Sequence, residues 1–167
     1  MNQMTVTIPV SRLSAASLTW RFVEFGALTT GELYELLQLR SEVFVVEQAC
    51  VFQDLDGADA QARHLLGQLA EGSGQLVAYA RCFAAGIKFA ESSIGRVVTH
   101  GDVRGSGAGH VLLQKAVACV TQQWGPQPIR IGAQARLEAF YRQHGFEATG
   151  APYLEDGIAH IEMLRPA

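Results

Sequence analysis

Arg104-Gly105-Ser106-Gly107-Ala108-Gly109-His110 joins an extended-looking stretch, residues 94–99, to a helical-looking one, residues 111–120. Glycines let backbone N–H groups approach an anion without obstruction by Cβ atoms. The unpaired N–H groups of a starting helix carry partial positive charge toward the same point, and Arg104 adds a fixed cation. This turn therefore predicts a binding site for a pyrophosphate group.

The spacing of the glycines excludes two other phosphate-binding turns. A P-loop needs Lys and then Ser or Thr directly after its last glycine, where this chain has His110 and Val111. A dinucleotide-binding turn starting at Gly105 needs its third glycine at position 110, and an acidic residue about 20 positions later is also missing. What remains is Arg-x-x-Gly-x-Gly, formed by Arg104, Gly107 and Gly109.

Composition limits the class of protein. The chain has 167 residues, of which 49% are hydrophobic, and this fits one domain at residues 18–167 behind a short appendage at residues 1–17. A formal net charge of -3 argues against nucleic-acid binding. The longest stretch without a formal charge contains several polar residues, so we expect no membrane span. The three cysteines lack C-x-x-C spacing and lie in apolar contexts, so we expect reduced thiols and a cytoplasmic protein.

The chain before the glycine-rich turn has recognisable strand and helix signals. Residues 18–25 alternate in polarity and predict a strand, and Thr29 with Glu32 has the capping-box spacing that begins a helix. We interpret Arg40 as a structural residue, because it interrupts an apolar face of that helix. This face contains Leu33, Leu36, Leu37, Val43 and Phe44.

The remaining segments complete a mixed fold. The patterns predict a hairpin of residues 63–70 and 75–83, strands at 90–99 and 129–134, helices at 107–124 and 136–144, and final strands at 146–152 and 158–164. This order is typical of an α/β (α+β) fold. We expect a single mixed, mostly antiparallel sheet flanked by helices.

Two regions resemble one superfamily. The Arg-x-x-Gly-x-Gly turn resembles the acyl-CoA pyrophosphate loop of the GNAT N-acetyltransferases. Residues 134–146 are similar to the region where that superfamily ends a helix in F-Y-x-x-x-G-F, with matches at Phe140, Tyr141, Gly145 and Phe146. Residues 33–48, 53–57 and 155–160 extend the resemblance to the ElaA-like branch. The resemblance spans about residues 30–165 of the chain.

The resemblance implies an activity. It implies an acyltransferase that moves an acetyl group from acetyl-CoA to a primary amine of a small molecule or a peptide, by direct attack in a ternary complex. Acetyl-CoA would be the cosubstrate, with no metal, nucleic acid or membrane involved, and the protein would be a monomer or a homodimer. A catalytically idle acyl-CoA-binding sensor or interaction module is the alternative, because a fold does not establish activity.

The resemblance also implies roles for individual residues. The pantetheine arm would pair with the edge of the strand at residues 95–99 as an added strand, and the Val98 N–H is our candidate donor to the thioester carbonyl. Tyr141 would be the general acid toward the coenzyme sulfur. The expected coenzyme contacts are Val97, Val98, Thr99, Arg104, Gly105, Ser106, Gly107, Ala108, Gly109, His110 and Tyr141.

The general base stays open at this point, because an alkylammonium with a pKa near 10.4 can lose its proton to several groups. Glu47 and His160 are preferred as catalytic residues among the candidates Glu47, Asp54, Asp56, His64 and His160. A further hypothesis is that the carboxylates on the acceptor side favour a cationic amine. These are Glu47, Asp54, Asp56 and Asp59.

Two other kinds of site are disfavoured. Asp54-x-Asp56-Gly57 resembles part of a calcium loop, but Arg63 stands where an EF-hand needs its glutamate. A serine hydrolase would need a G-x-S-x-G turn, which this sequence lacks. We therefore expect neither a metal site nor a nucleophilic serine.

Overall fold

The computed structural model describes residues 17–72 and 74–167, in which eight strands form one sheet. The strands are β1 (Leu18–Glu24), β2 (Arg63–Leu69), β3 (Leu76–Phe83), β4 (Ser92–Thr99), β5 (Ile129–Gln134), β6 (Glu147–Ala148), β7 (Tyr153–Glu155) and β8 (Ile158–Arg165). Their order is β1-β2-β3-β4-β5-β8-β6, with β7 also paired to β8. Residues 1–16 of the expected appendage lie outside the described residues.

The pairing directions confirm the expected mixed sheet. β4 and β5 run parallel, and the other strand pairs of the described chain run antiparallel. The predicted hairpin is present as β2 and β3, and Arg63 lies opposite Cys82. A single sheet of this kind needs helices to cover its two apolar faces.

The first helix, α1 (Thr30–Arg40), begins where the capping box predicts. The Glu32 N–H donates to Thr29 Oγ1 at 3.1 Å, and the Thr29 N–H donates to Glu32 Oε2 at 2.9 Å. The helix continues in π-helical form over Ser41–Glu47. The sequence missed Leu39, which is buried beside Leu36 against one face of the sheet.

Two helices cover the opposite face of the sheet, α2 (Ala108–Trp124) and α3 (Glu138–Arg142). α2 buries a stripe of residues spaced by three and four, as an amphipathic helix requires. The stripe consists of Ala108, Leu112, Leu113, Ala116 and Val120. No helix of the described residues has the length and hydropathy needed to cross a membrane.

Two predicted elements near the C terminus need correction. Of the strand predicted at residues 146–152, only β6 (Glu147–Ala148) is formed, and β7, which the sequence did not predict, begins after Pro152; both pair with β8. Pro152 has no N–H to donate to a ladder, so a continuous strand cannot run through it. The helix predicted at residues 136–144 is shorter, because a 3₁₀ turn at Ala135–Leu137 replaces its first turn.

The pairing of β4 with its neighbours is irregular along both of its edges. Parallel pairing with β5 involves Ser92 with Ile129 and Ser93 with Arg130, and the described register does not extend further. Toward β3, one extra residue of β4 is accommodated between the pairs at Gly95 and Val98. This β4 bulge consists of Arg96 and Val97, which together face Ala80. From the residue after Ser93 onward, and so along the bulge, β4 and β5 are no longer paired.

Candidate active site

A cleft of about 700 Å³ opens where β4 and β5 diverge. One wall is the edge of β4, at residues 94–99, and the other includes Gly132 and Gln134 of β5 with Tyr141 of α3. The segment at residues 43–56, the turn between β7 and β8, and several residues within 81–89 also contribute to the lining. A cavity of this size is within the range of ordinary ligand sites.

The glycine-rich turn lies at the start of α2, as predicted. Gly105 and Gly107 have φ values of 74° and 87°, and a Cβ added to either residue would meet no atom within 4 Å. Glycine is therefore favoured at both positions by the positive φ, and not by a lack of room for a side chain. Gly107 is the N-cap of α2, where its carbonyl accepts from His110 and Val111.

Arg104 is paired with a carboxylate at the mouth of the cleft. Its Nη1 and Nη2 donate to the two oxygens of Glu47 at 2.5 and 2.9 Å, and Nη2 also donates to the Thr99 carbonyl at 3.2 Å. The guanidinium holds the pKa of Glu47 below its usual value. Glu47 is thus a weaker base than an isolated glutamate.

The register of β4 corrects the expected role of the Val98 N–H. The His100 N–H donates to Val77 O at 2.8 Å, and Val98 lies opposite Tyr79 two residues earlier. Hydrogen-bonded pairs alternate along antiparallel strands, so the Val98 N–H is directed at β3. Successive amides of a strand point to opposite edges, and the Val97 N–H therefore faces the β5 side of β4.

Tyr141 is packed into the cleft wall with 6% of its surface exposed. Its ring makes edge-on contacts with Phe140 and Phe146, at centroid distances of 5.1 and 5.9 Å. Burial raises the pKa of Tyr141 to about 12. The hydroxyl therefore keeps its proton at neutral pH and can act as a donor.

His160 lines the cleft on β8, and its hydrogen bond defines its tautomer. Nδ1 lies 2.9 Å from the Ile158 carbonyl oxygen, which can only accept. Nδ1 therefore carries the proton in the neutral ring, and Nε2 has a free lone pair. Nε2 lies 4.0 Å from Glu155 Oε2, and the ring stacks against Tyr153. The arrangement suits a proton acceptor.

His64 lies outside this cleft. It is buried, with Nε2 3.0 Å from the Asp59 carbonyl oxygen and Nδ1 2.8 Å from the Tyr79 hydroxyl. Since a carbonyl only accepts, Nε2 donates and Nδ1 accepts from Tyr79. Burial lowers the pKa of His64, and the nearby Arg40 and Arg81 lower it further. Both ring nitrogens are thus used inside the protein.

Charged side chains form a largely buried ion cluster along one side of the cleft, which we call the buried ion cluster. We define it as Arg40, Asp54, Asp56, Asp59, Arg81 and Arg96. Arg40 is fully buried and donates to Asp54 Oδ2 at 2.8 Å and to Asp59 Oδ1 at 2.7 Å. Arg81 donates to both oxygens of Asp56 at 2.8 and 2.7 Å. The structural role expected for Arg40 is confirmed.

Pairing with arginines, inside and outside this cluster, removes the basis for one expectation. Each of the four carboxylates expected to attract a cationic amine is paired with an arginine. Their charges are compensated before any substrate enters. Among the described residues, no group of three His, Cys, Asp or Glu side chains is arranged to hold a metal ion.

Sequence reasoning missed two polar features of the cleft. Gln134 Nε2 donates to Gln48 Oε1 at 2.8 Å, and Arg136 Nε donates to Gln134 Oε1 at 2.9 Å. Cys50 Sγ donates to the Asp156 carbonyl at 3.3 Å. The Gln48–Gln134 and Cys50–Asp156 contacts join residues that are distant in sequence, so no local pattern could have indicated them.

The sequence of this chain is similar to those of known proteins. A family model described as Acetyltransferase (GNAT) domain matches residues 39–165. ElaA of Escherichia coli is 41% identical over 150 residues, which cover 89% of this chain and 96% of that protein. A UPF0039 protein of Mycobacterium tuberculosis is 48% identical over 139 residues, which cover 80% of this chain and 84% of that protein.

Solved structures agree with the sequence matches. The crystal structure of an acyl-CoA N-acyltransferase from Pseudomonas aeruginosa has a TM-score of 0.81 and 42% identity, covering 88% of this chain and 99% of that one. The crystal structure of Escherichia coli ElaA also has a TM-score of 0.81, with 40% identity, covering 89% and 99%. The chain therefore belongs to the GNAT acetyltransferase family, in its ElaA-like branch, and is an acyltransferase that takes its acyl group from an acyl-CoA.

Proposed function

We propose that the protein transfers an acetyl group from acetyl-CoA to a primary amine of a small molecule or a peptide, by direct attack in a ternary complex. The observation that carries this proposal is the divergence of β4 and β5 directly beside the glycine-rich turn. It leaves a strand edge and a helix N terminus facing one cleft. We further propose that residues 18–167 act as one catalytic domain in the cytoplasm.

The coenzyme would bind along the N-terminal half of the sheet. Backbone amides at residues 105–110 would hold the pyrophosphate, where α2 contributes the positive end of its dipole. Arg104 would exchange Glu47 for a phosphate oxygen, because the pair is exposed and such pairs are weak. The edge of β4 at Val97 and Thr99 would pair with the pantetheine arm.

Three groups of this chain would then act on the reaction. His160 Nε2 takes a proton from the acceptor ammonium, and the amine nitrogen attacks the thioester carbonyl carbon. The Val97 N–H donates to the carbonyl oxygen as negative charge develops there. A C–N bond forms, the C–S bond breaks, and the sulfur receives the Tyr141 proton. The nitrogen gives up its second proton as the amide forms, and this proton replaces the one that Tyr141 donated. A thiol has a pKa near 8.5, so the thiolate is already a tolerable leaving group.

Acceptor selectivity would depend on the turn between β7 and β8. Glu155 and Asp156 line the cleft there, and the described residues show no arginine or lysine paired with either carboxylate. They are better placed to attract an ammonium group than the compensated carboxylates of the buried ion cluster.

The test is thiol release from acetyl-CoA, measured with a panel of primary amines for the parent and for Tyr141→Phe. We expect amine-dependent release by the parent and a kcat lower by about 10²-fold in the variant, without complete loss, because the proton donor is removed while binding is kept. Tyr34→Phe is the matched control, since Tyr34 is 72% exposed on α1.

Two results would contradict the proposal. Tight coenzyme binding in calorimetry, without thiol release for any amine, would favour an acyl-CoA sensor. Equal activity of Tyr141→Phe and Tyr34→Phe would remove Tyr141 from the chemistry while leaving acetyl transfer intact.

A further inference from the structure

Arg96 has an unusual backbone conformation for its position. Its φ is 51°, in the left-handed region that residues with a Cβ rarely adopt. The other non-glycine residues of the described chain with positive φ are Ala49 and Asp156, which both lie in turns. Arg96 lies inside β4, beside the cleft.

Side-chain contacts hold Arg96 in this conformation. Nε donates to Asp54 Oδ1 at 2.7 Å, and Nη2 donates to the Asp54 carbonyl at 3.3 Å. The guanidinium also lies over the Phe52 ring, 5.5 Å from its centroid. A long side chain gripped at its end limits the φ and ψ values that its own backbone can adopt.

Asp54 is in turn fixed from the other side. Arg40 donates to Asp54 Oδ2 at 2.8 Å and to the Asp54 carbonyl at 3.0 Å. Asp54 is 3% exposed and Arg40 is 0% exposed, so water does not compete for these bonds. One carboxylate thus connects α1 to the β4 bulge.

The bulge determines where the next amide points. Because Arg96 and Val97 share the place of one residue opposite Ala80, the backbone of β4 turns at this point. The Val97 N–H then faces the cleft. We propose that Asp54 and Arg96 are positioning residues, which hold the β4 bulge so that the Val97 N–H meets the thioester carbonyl. This inference rests on the proposed function, in which that N–H is the donor.

The test compares Arg96→Gly with Arg96→Ala. Both variants lose the same contacts with Asp54 and Phe52, and they differ in the cost of the left-handed conformation, which glycine avoids. We expect kcat to be about tenfold higher for the glycine variant than for the alanine variant. The KM for acetyl-CoA should change little between them, because the pyrophosphate turn is untouched.

The melting temperature gives a second readout that does not need activity. Arg96→Gly should melt at a higher temperature than Arg96→Ala, although glycine is ordinarily the less stable choice within a strand. The matched control is Thr19, exposed on β1. Thr19→Ala should melt at a higher temperature than Thr19→Gly, which is the ordinary order.

A double-mutant cycle tests the part played by Asp54. Asp54→Asn should lower kcat in the parent and lower it less in the Arg96→Gly background, because a glycine at the bulge no longer needs the anchor. An equal effect of Asp54→Asn in both backgrounds would overturn the link between Asp54 and the bulge.

Equal kcat values and equal melting temperatures for Arg96→Gly and Arg96→Ala would overturn the proposal, and would point to direct action of the guanidinium charge. A parent enzyme that transfers no acetyl group to any amine would instead refute the proposed function, and the catalytic role of the bulge with it. In that case the melting temperatures still decide whether the fold imposes the left-handed conformation at position 96.

Discussion

Two arginines bind carboxylates at similar donor–acceptor distances but in opposite surroundings in this protein. Arg40 binds Asp54 and Asp59 where no water reaches the guanidinium, whereas Arg104 and Glu47 are 41% and 47% exposed. Burial makes the first contact permanent, because breaking it leaves a charge without solvent. Exposure makes the second one exchangeable, because water or a phosphate can replace the carboxylate. Similar bonds thus serve architecture in one region and ligand exchange in the other.

The largest expected effect breaks the buried contact. Arg40→Met should lower the free energy of unfolding by about 3–5 kcal/mol, because Asp54 and Asp59 each lose a buried partner. The measurement is equilibrium urea unfolding at pH 7. Arg104→Met is the matched variant at the exposed pair, and it should cost less than about 1 kcal/mol. Equal losses in the two variants would contradict the contrast between the regions.

A fall in pH should further distinguish the buried region from the exposed one, because it first destabilises the buried region. The neutral ring of His64 accepts a hydrogen bond from the Tyr79 hydroxyl. Burial lowers the folded pKa of this histidine, and the nearby arginines lower it further. Between the unfolded value near 6.5 and the lower folded value, the unfolded chain binds more protons. The contribution of His64 to the free energy of unfolding is therefore complete above pH 6.5. It is lost as the pH falls, by up to about 1.4 kcal/mol per pH unit.

The matched variants for this pH effect are His64→Gln and His144→Gln. The pKa of His144 is also lowered, by partial burial and by the neighbouring His110. Because solvent screens this half-buried ring, its removal should flatten the pH dependence less than removal of His64. Urea unfolding from pH 7.5 to 5 measures both slopes. An unchanged slope in His64→Gln would contradict the assignment.

The smallest expected effect is at the mouth of the cleft. Glu47→Gln frees the Arg104 guanidinium for a phosphate, so the Kd for acetyl-CoA should fall by about two- to fivefold. Calorimetry at low and high salt measures it, and salt should reduce the difference. Glu35→Gln removes the same charge from the exposed face of α1 and is the control. A weaker affinity in Glu47→Gln than in Glu35→Gln would show that Glu47 supports coenzyme binding.

Local patterns were sufficient for much of the fold. The capping box of Thr29 and Glu32 and the glycine-rich turn before α2 each depend on residues within a few positions, and both are where the sequence places them. The number of strands near the C terminus was not predictable in this way, because β6 and β7 are defined by their pairing with β8.

The arrangement within the candidate site depended on contacts between distant residues. Arg104 and Glu47 are separated by 57 positions, and Arg96 and Asp54 by 42. No local spacing shows that such side chains meet. The register of β4 is also a tertiary property, and for this reason the sequence favoured the amide of Val98 where the strand pairing favours that of Val97.

The short parallel seam between β4 and β5 has an evolutionary consequence. It divides the sheet into two halves, joined along that seam by two residue pairs. Apart from Tyr141, the proposed coenzyme contacts belong to the first half, and the turn proposed to select the acceptor belongs to the second. Under the proposed function, mutations that accumulate in the second half can therefore change the acceptor that is modified, while the inherited means of holding the acyl donor is preserved.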